Sequence, residues 1–355
     1  MRIGVNAKLL REKYHTGIQA YISNLYKAIV SADKDNEYFF LDDGLGSSRL
    51  LNVFYNNLLV RNQIKKIKID IFHAANSILP LGPKGCCYVS TIHDLGFKTI
   101  PQWTPKAEIV YYNLVFENII KKADLIVADS LFVKQEIKDY YGVEDQKLRV
   151  APLGLNEFYL EKEVEPYLED IRKKYRLKGK KVVLANSAHC NRKNIDSLVN
   201  AFVENSDRLK DADLVIAGAT GKTTFQSLIN PDNKAKITVA GYLPIREQRA
   251  LYQIADIFIY PSLYEGFGLP ILEAMASGCL VFASNIPPVR EIVADDNLLF
   301  NPLAIGEICE KIRYYLDIEN SKKQLLIGSY REILGKFTWR KAAEEMISIF
   351  NSLKP

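Results

Sequence analysis

Short apolar runs alternate along this chain with longer stretches in which apolar residues recur every three or four positions. Runs at 2–6, 38–41, 69–73, 87–92, 125–128 and 147–151 are four to six residues long and read as strands. After Thr16-Gly17, the residues Ile18, Tyr21, Ile22, Leu25 and Ile29 hold helical spacing. Asp129-Ser130 stands ahead of a second such stretch and predicts an N-cap for a helix running to about Tyr141. Strand followed by helix, repeated, predicts α/β layering around a parallel sheet.

The rhythm breaks once. Pro152-Leu-Gly154-Leu-Asn156 carries turn residues, and the stretch from there to Lys181 is rich in charge and poor in strand signals. Strands resume at 181–185, 213–217, 237–240, 256–260 and 279–283, with helices opening at Asn194 and spanning 246–254. The tail from Ala304 reads as helical, and Thr338 is placed to cap a last helix beginning at Trp339. Two Rossmann-like domains facing each other across a cleft are expected, over 1–155 and 156–335, followed by a closing helix over 336–355.

Composition narrows the class. The 355 residues are 48% hydrophobic and 25% charged, ordinary values for a globular protein with two cores. A net charge of +5 suits a phosphorylated ligand or an anionic membrane surface, and falls short of a nucleic-acid footprint. The basic runs, Lys65-Lys66-Ile-Lys68 and Arg172 to Lys181, read first as solvated surface. Five cysteines (86, 87, 190, 279 and 309), without close metal-type spacing, point to neither a disulfide framework nor a zinc site. Cys86 and Cys279 fall in or beside apolar runs and are expected in the core. The first residues form a strand start and no apolar run approaches about 18 residues, so a cytoplasmic location is expected.

Chemistry concentrates in Pro261-Ser-Leu-Tyr-Glu265-Gly-Phe-Gly-Leu-Pro270-Ile-Leu-Glu273-Ala-Met-Ala-Ser-Gly278. Two glycines and a proline between the acids put Glu265 on a loop and Glu273 on a helix that Pro270 helps to start. In one helix the two carboxylates would lie about 12 Å apart along the axis, which suits two ends of one extended ligand. The N–H groups around Gly268, Leu269 and Ile271 would form an anion site between them. Acid, anion site, acid fits a sugar, a diphosphate and a ribose.

Other segments offer weaker candidates. Asn186-Ser-Ala-His-Cys-Asn191-Arg192-Lys193-Asn194 follows a strand, where ligands of open α/β sheets bind. Arg192 and Lys193 could neutralise a diphosphate there, or simply be two exposed charges before a helix. Thr91-Ile-His93-Asp94-Leu95-Gly96 ends a strand of the first half; its polar pair either touches substrate hydroxyls or is structural. His73 reads as core or cleft wall. Gly17 allows either close backbone approach to an anion or a tight turn. Gly218-Ala-Thr-Gly221-Lys222-Thr223 imitates a phosphate-binding loop, but Ile216 stands where its first glycine belongs.

The long acidic segment resembles the Glu-x7-Glu signature of retaining glycosyltransferases with the GT-B fold, family 4. Thr16-Gly17-Ile, Thr91-Ile-His93-Asp94-Leu, Arg192-Lys193-Asn194, Leu251-Tyr-Gln-Ile-Ala-Asp256 and Phe337-Thr-Trp339 are similar to the same family, so the resemblance covers most of the chain. Within it, the chain looks nearest to the mannosyltransferase-like branch that builds O-antigens and other surface glycans. The fold implied is GT-B, with the C-terminal helix returning to the first domain.

The resemblance also implies roles. Glu265 would meet the donor sugar's hydroxyls and Glu273 the ribose 2′- and 3′-hydroxyls. Arg192 and Lys193 would bind the diphosphate and stabilise the leaving group. Backbone near Gly17, Gly266, Phe267, Gly268 and Leu269 would complete the anion cradle, and Tyr242 would lie by the base. His93 and Asp94 would face the sugar or acceptor from the first domain. Two departures stand out: Gln19 replaces a second glycine of the first loop, and Asn186-Ser187 replaces a glycine start of the phosphate loop.

The implied reaction is metal-independent, cofactor-free hexose transfer from a nucleotide diphosphate sugar, GDP-mannose first, to a saccharide or lipid-linked acceptor. Peripheral contact with the inner membrane face is a further expectation, and no nucleic acid partner is expected. The alternatives are a sugar-nucleotide epimerase, a glycan phosphorylase, and an inactive nucleotide-sugar-binding subunit of a transferase complex.

Overall fold

The computed structural model describes residues 1–11, 17–42, 59–177, 180–187, 191–218 and 237–354. It divides into two compact units, Met1–Gly154 with Phe337–Pro355, and Leu155–Lys336. Each is built on a six-stranded sheet whose strand pairs are all parallel.

The first sheet contains β1 (Arg2–Asn6), β2 (Glu37–Leu41), β3 (Ile71–Ala74), β4 (Cys87–Ile92), β5 (Leu125–Ala128) and β6 (Leu148–Val150). Their order is β2-β1-β3-β4-β5-β6, so the winding direction reverses between β1 and β3. The strands read as near-continuous apolar runs because helices cover both faces of a parallel sheet; all four residues of β5 are buried. The run expected at 69–73 is displaced towards its C-terminus. Ile69 is buried, but its N–H caps the helix Val60–Ile67 by bonding the Ile64 carbonyl, which keeps it out of the ladder.

Helix Trp339–Asn351 packs on helix Gly17–Ala32 within this unit. Its buried residues Trp339, Ala342, Ala343, Met346, Ile349 and Phe350 recur at helical spacing and form the packed stripe. Thr338 caps it as expected, its side chain accepting the Lys341 N–H. Gly154 lies against that start: a Cβ there would come within 2.1 Å of the Trp339 nitrogen. Ser130 likewise caps Leu131–Tyr141, accepting from the Val133 N–H.

The second sheet contains β7 (Lys181–Ser187), β8 (Ala212–Gly218), β9 (Ile237–Gly241), β10 (Ile257–Tyr260), β11 (Leu280–Ser284) and β12 (Leu299–Phe300). Its order is β12-β11-β10-β7-β8-β9, the doubly wound pattern in which the third strand is followed by a crossover back past the first. The reversal falls between β7 and β10, which pair through Val183–Ile257 and Ala185–Ile259. β12, only two residues long, has too short a pattern to be read from the chain. Cys279 is buried as expected, whereas Cys86 is only partly so. The residues Ala219 to Thr223 of the phosphate-loop lookalike lie outside the described residues.

Candidate active site

Ligands of doubly wound sheets bind beyond the carboxyl ends of the strands where the winding reverses. In the second unit those ends belong to β7 and β10, and each is followed by a functional loop. Asn191–Lys193 forms one turn of 3₁₀ helix after β7. Pro261 to Gly268 follows β10 and leads into the helix Leu269–Ala276, so Glu265 sits on the loop and Glu273 on the helix.

The two loops meet through charge. Lys193 Nζ donates to Glu265 Oε1 at 2.6 Å, and Arg192 Nη1 donates to Oε2 at 3.0 Å. Arg192 also donates to the Tyr264 carbonyl at 3.2 Å, while its own carbonyl accepts the Leu263 N–H at 2.8 Å. Lys193 donates to the Tyr260 hydroxyl at 3.1 Å and lies 5.0 Å from that ring's centre. Asn194, at φ 53°, ties the same junction by donating to the Pro261 and Pro302 carbonyls.

Glu265 is only 6% exposed. Burial alone would favour its neutral form, but Lys193 and Arg192 outweigh that and hold the carboxyl at about 2. Burial also opposes the Lys193 charge, and Glu265 reverses the effect, raising the ammonium above its ordinary value. Both oxygens of Glu265 are thus occupied by cations.

Four residues after Glu265, helix Leu269–Ala276 begins with Gly268 at φ 134° and ψ 46°, a conformation that favours glycine. Pro270 occupies its first turn and no side chain caps it. The Ile271 N–H, expected at the anion site, instead bonds the Gly268 carbonyl at 3.0 Å, and Pro270 has no N–H, so the partial positive charge of this start is offered through the backbone near Gly268 and Leu269.

Glu273 has a different setting. Its Oε2 accepts from Gln248 Nε2 at 3.1 Å and from the Tyr252 hydroxyl at 3.3 Å. Tyr252 in turn accepts from Asn186 Nδ2 at 2.7 Å, which links the acid to the end of β7. Burial pushes the Glu273 carboxyl up to about 7, against the hydrogen bonds of Tyr252 and Tyr159, which pull it down. Tyr242 follows the edge strand β9 and is 50% exposed. Gly266 and Phe267 are buried on the loop, and Leu269 is the first helical residue.

In the first unit, His93 and Asp94 follow β4. His93 Nδ1 lies 2.7 Å from Asp129 Oδ2, and Nε2 lies 2.9 Å from the Ala75 carbonyl oxygen. Asp94 accepts the Gly96 N–H at 3.0 Å and starts the short helix Gly96–Thr99. His73 is fully buried between the Tyr26 and Thr91 hydroxyls, and burial lowers its pKa to about 3. Gly17 is exposed at the start of its helix, and a Cβ there would meet nothing among the described residues within 4 Å. Gln19, in place of a second glycine, is 3% exposed and donates to the Leu9 carbonyl at 2.5 Å.

Arg192, Lys193 and Glu265 therefore form one cluster, Glu273 forms a second, and His93 and Asp94 share a strand end in the other unit. The sequence assigns no role to Tyr260, Tyr252 or Gln248, and marks Asn186 only as the start of a ligand-facing loop. Tyr252 and Tyr260 lie in apolar stretches where a core role is the default, and nothing local marks their hydroxyls as ligands of acids and lysine.

Comparison with known proteins agrees with this geometry. The family described as "Glycosyl transferases group 1" matches residues 168–330, and "Glycosyltransferase Family 4" matches residues 31–157. "O-antigen chain mannosyltransferase B" of Escherichia coli is 27% identical over 82% of this chain and 76% of its own length. Among solved structures, WaaG, "a glycosyltransferase involved in lipopolysaccharide biosynthesis", superposes with a TM-score of 0.75 at 14% identity, over 98% of this chain and 99% of that one. Anabaena Alr3699/HepE in complex with UDP-glucose gives 0.72 at 15% identity, over 99% of this chain and all of that one. With one match in each unit, together spanning most of the sequence, and the fold to accompany them, this chain belongs to the GT-B glycosyltransferases of family 4, group 1.

Proposed function

We propose that this glycosyltransferase moves a hexose, mannose in the first instance, from a nucleoside diphosphate sugar to a hydroxyl of a saccharide or lipid-linked acceptor. The transfer retains the configuration of the anomeric carbon and uses no metal. The observation that carries the reading is the contact of Arg192 and Lys193 with buried Glu265, at the winding reversal and four residues ahead of an uncapped helix start. Two cations held in fixed positions can stabilise the negative charge that grows on a departing diphosphate without reorganising during the reaction. They fill the role that a divalent cation plays in other phosphate-leaving sites.

The bond from the anomeric carbon to the phosphate oxygen breaks as the bond to the acceptor oxygen forms. The acceptor's proton passes to the departing phosphate. Double displacement on Glu265 is disfavoured, because both of its oxygens are engaged by cations and its carboxyl sits at about 2. Glu273 is assigned to the ribose hydroxyls and Tyr242 to the base. Mannose as the sugar follows the mannosyltransferase relative, and a nucleotide sugar as donor is in keeping with the fold-mate that holds UDP-glucose.

Among the described residues no helix is long and apolar enough to cross a membrane. A lipid-linked acceptor would bring the protein to the inner membrane face through its basic surface, and liposome binding that weakens with salt is the expected sign.

The test is incubation of purified protein with GDP-mannose and a glycan acceptor in the presence of EDTA, with NMR of the product. An α-mannoside formed at an unchanged rate is the expected result. Strict metal dependence or an inverted product would overturn the mechanism, and donor isomerised without glycoside formation would overturn the transfer itself.

A further inference from the structure

His93 lies at the carboxyl end of β4, between β3 and β5 in the sheet, and its ring reaches the ends of both neighbours. Nδ1 meets Asp129 Oδ2 at 2.7 Å just after β5, and Nε2 meets the Ala75 carbonyl at 2.9 Å just after β3. A carbonyl only accepts hydrogen bonds, and so does an ionised carboxylate. Neutral imidazole carries one N–H, so with Asp129 ionised, bonds to both partners require two.

The surroundings fix the ring as well as its partners. Tyr21 stands edge-on to it, with ring centres 4.9 Å apart at 77°. Asp129 is 3% exposed, and its other oxygen, Oδ1, is buried with no hydrogen-bond partner among the described residues. Among the described residues His93 is the only basic side chain that meets this buried carboxylate. We propose that Asp129 is a positioning residue that holds His93 doubly protonated, so that the ring is a fixed charge and not a proton acceptor in the reaction.

Of the titratable groups facing His93, Asp129 is itself raised by burial, an effect that the His93 charge opposes, and the contacts of both ring nitrogens with acceptors place the shared proton on the ring. Asp129 and Asp94 both favour the imidazolium and outweigh the burial that opposes it, raising the His93 pKa. His73, on β3, stays neutral through burial, and burial likewise keeps the Tyr21 phenol protonated. An imidazolium with both N–H groups engaged has no lone pair for the acceptor's proton, which accords with proton transfer to the departing phosphate.

The test is nitrogen-15 NMR of the four histidines of the 355-residue chain, with His93→Gln assigning the signal. At about pH 7 both ring nitrogens of His93 should carry protons, and Asp129→Asn should make His93 titrate below about 6.5. An unprotonated Nδ1 in the wild type would put the shared proton on Asp129 and overturn the proposal. An unchanged titration in a folded Asp129→Asn variant would do the same. This readout concerns the first unit alone and stands even if the transfer reading fails. Where transfer is measurable, Asp129→Asn should lower kcat about tenfold and introduce a limb near the new histidine pKa, with little change in donor KM. A tenfold loss with no new limb would reduce Asp129 to a structural part and overturn its positioning role.

Discussion

Lys193 Nζ and Glu265 Oε1 meet at 2.6 Å although 72 positions separate them in the chain. The contact exists because β7 and β10 are neighbours in the sheet, so the loops that leave their carboxyl ends share one space. Replacing Lys193 with Ala removes a charge-stabilising donor and leaves Glu265 with one cation. Transfer should fall about a hundredfold, read as kcat at saturating donor. Activity within about twofold of wild type would remove Lys193 from the leaving-group site.

Glu265 links the site to acid stability. Its carboxyl lies at about 2 in the folded chain against 4.5 when free, so the folded state resists its protonation. The stability it contributes is fully present above about pH 4.5, and is lost as pH falls through about 2. Its size is on the order of 3 kcal/mol. Denaturant titrations across this window should show wild type losing stability more steeply than Glu265→Gln. Parallel curves would contradict the assignment.

Glu273 has the opposite sign. Its carboxyl is raised from 4.5 to about 7, so the folded state binds its proton more tightly than the unfolded chain does. The resulting stability is present below about pH 4.5 and is lost as pH rises through about 7. Glu273→Gln keeps an acceptor for Tyr252 and Gln248 without the charge, and should raise Tm at pH 8, with a gain of about 1–3 kcal/mol. The same variant should weaken donor binding about tenfold, since a charged acceptor for the ribose is gone. Lower stability at pH 8 with undiminished donor affinity would sink both roles.

Gly154 sets the join between the end of the first Rossmann-like stretch and the returning helix. A methyl group there would come within 2.1 Å of the Trp339 nitrogen, and its nearest neighbours are backbone atoms of Thr338 and Trp339, which cannot swing aside. Gly154→Ala should cost about 2 kcal/mol or more by urea unfolding. Wild-type stability would show that the helix start is free to move.

Much of this was legible in the chain. Strands such as 2–6, 87–92 and 125–128 coincide with the structure because buried parallel strands are short apolar runs with clear borders. Thr338 and Ser130 announced their helices because a side-chain cap is a local device. The Glu265 loop and the Glu273 helix were readable from Gly268 and Pro270 for the same reason.

What the chain concealed is non-local. That Glu265 is held by both Arg192 and Lys193 depends on which strands are neighbours, which no local spacing records. The Asn186–Tyr252–Glu273 chain joins a strand end and two helices, and its tyrosine looks like ordinary core in sequence. His93 drew notice as a histidine at a strand end. Its partners, Asp129 and the Ala75 carbonyl, are supplied by the strands on either side.

The most direct test of the central claim is calorimetric titration of nucleoside diphosphates into the wild-type protein and into Arg192→Ala/Lys193→Ala. For the diphosphate that the wild type binds best, the double variant, still folded, should lose about a hundredfold in Kd, or about 2.7 kcal/mol. Equal affinity in the two proteins would contradict the assignment of this cluster as the diphosphate site.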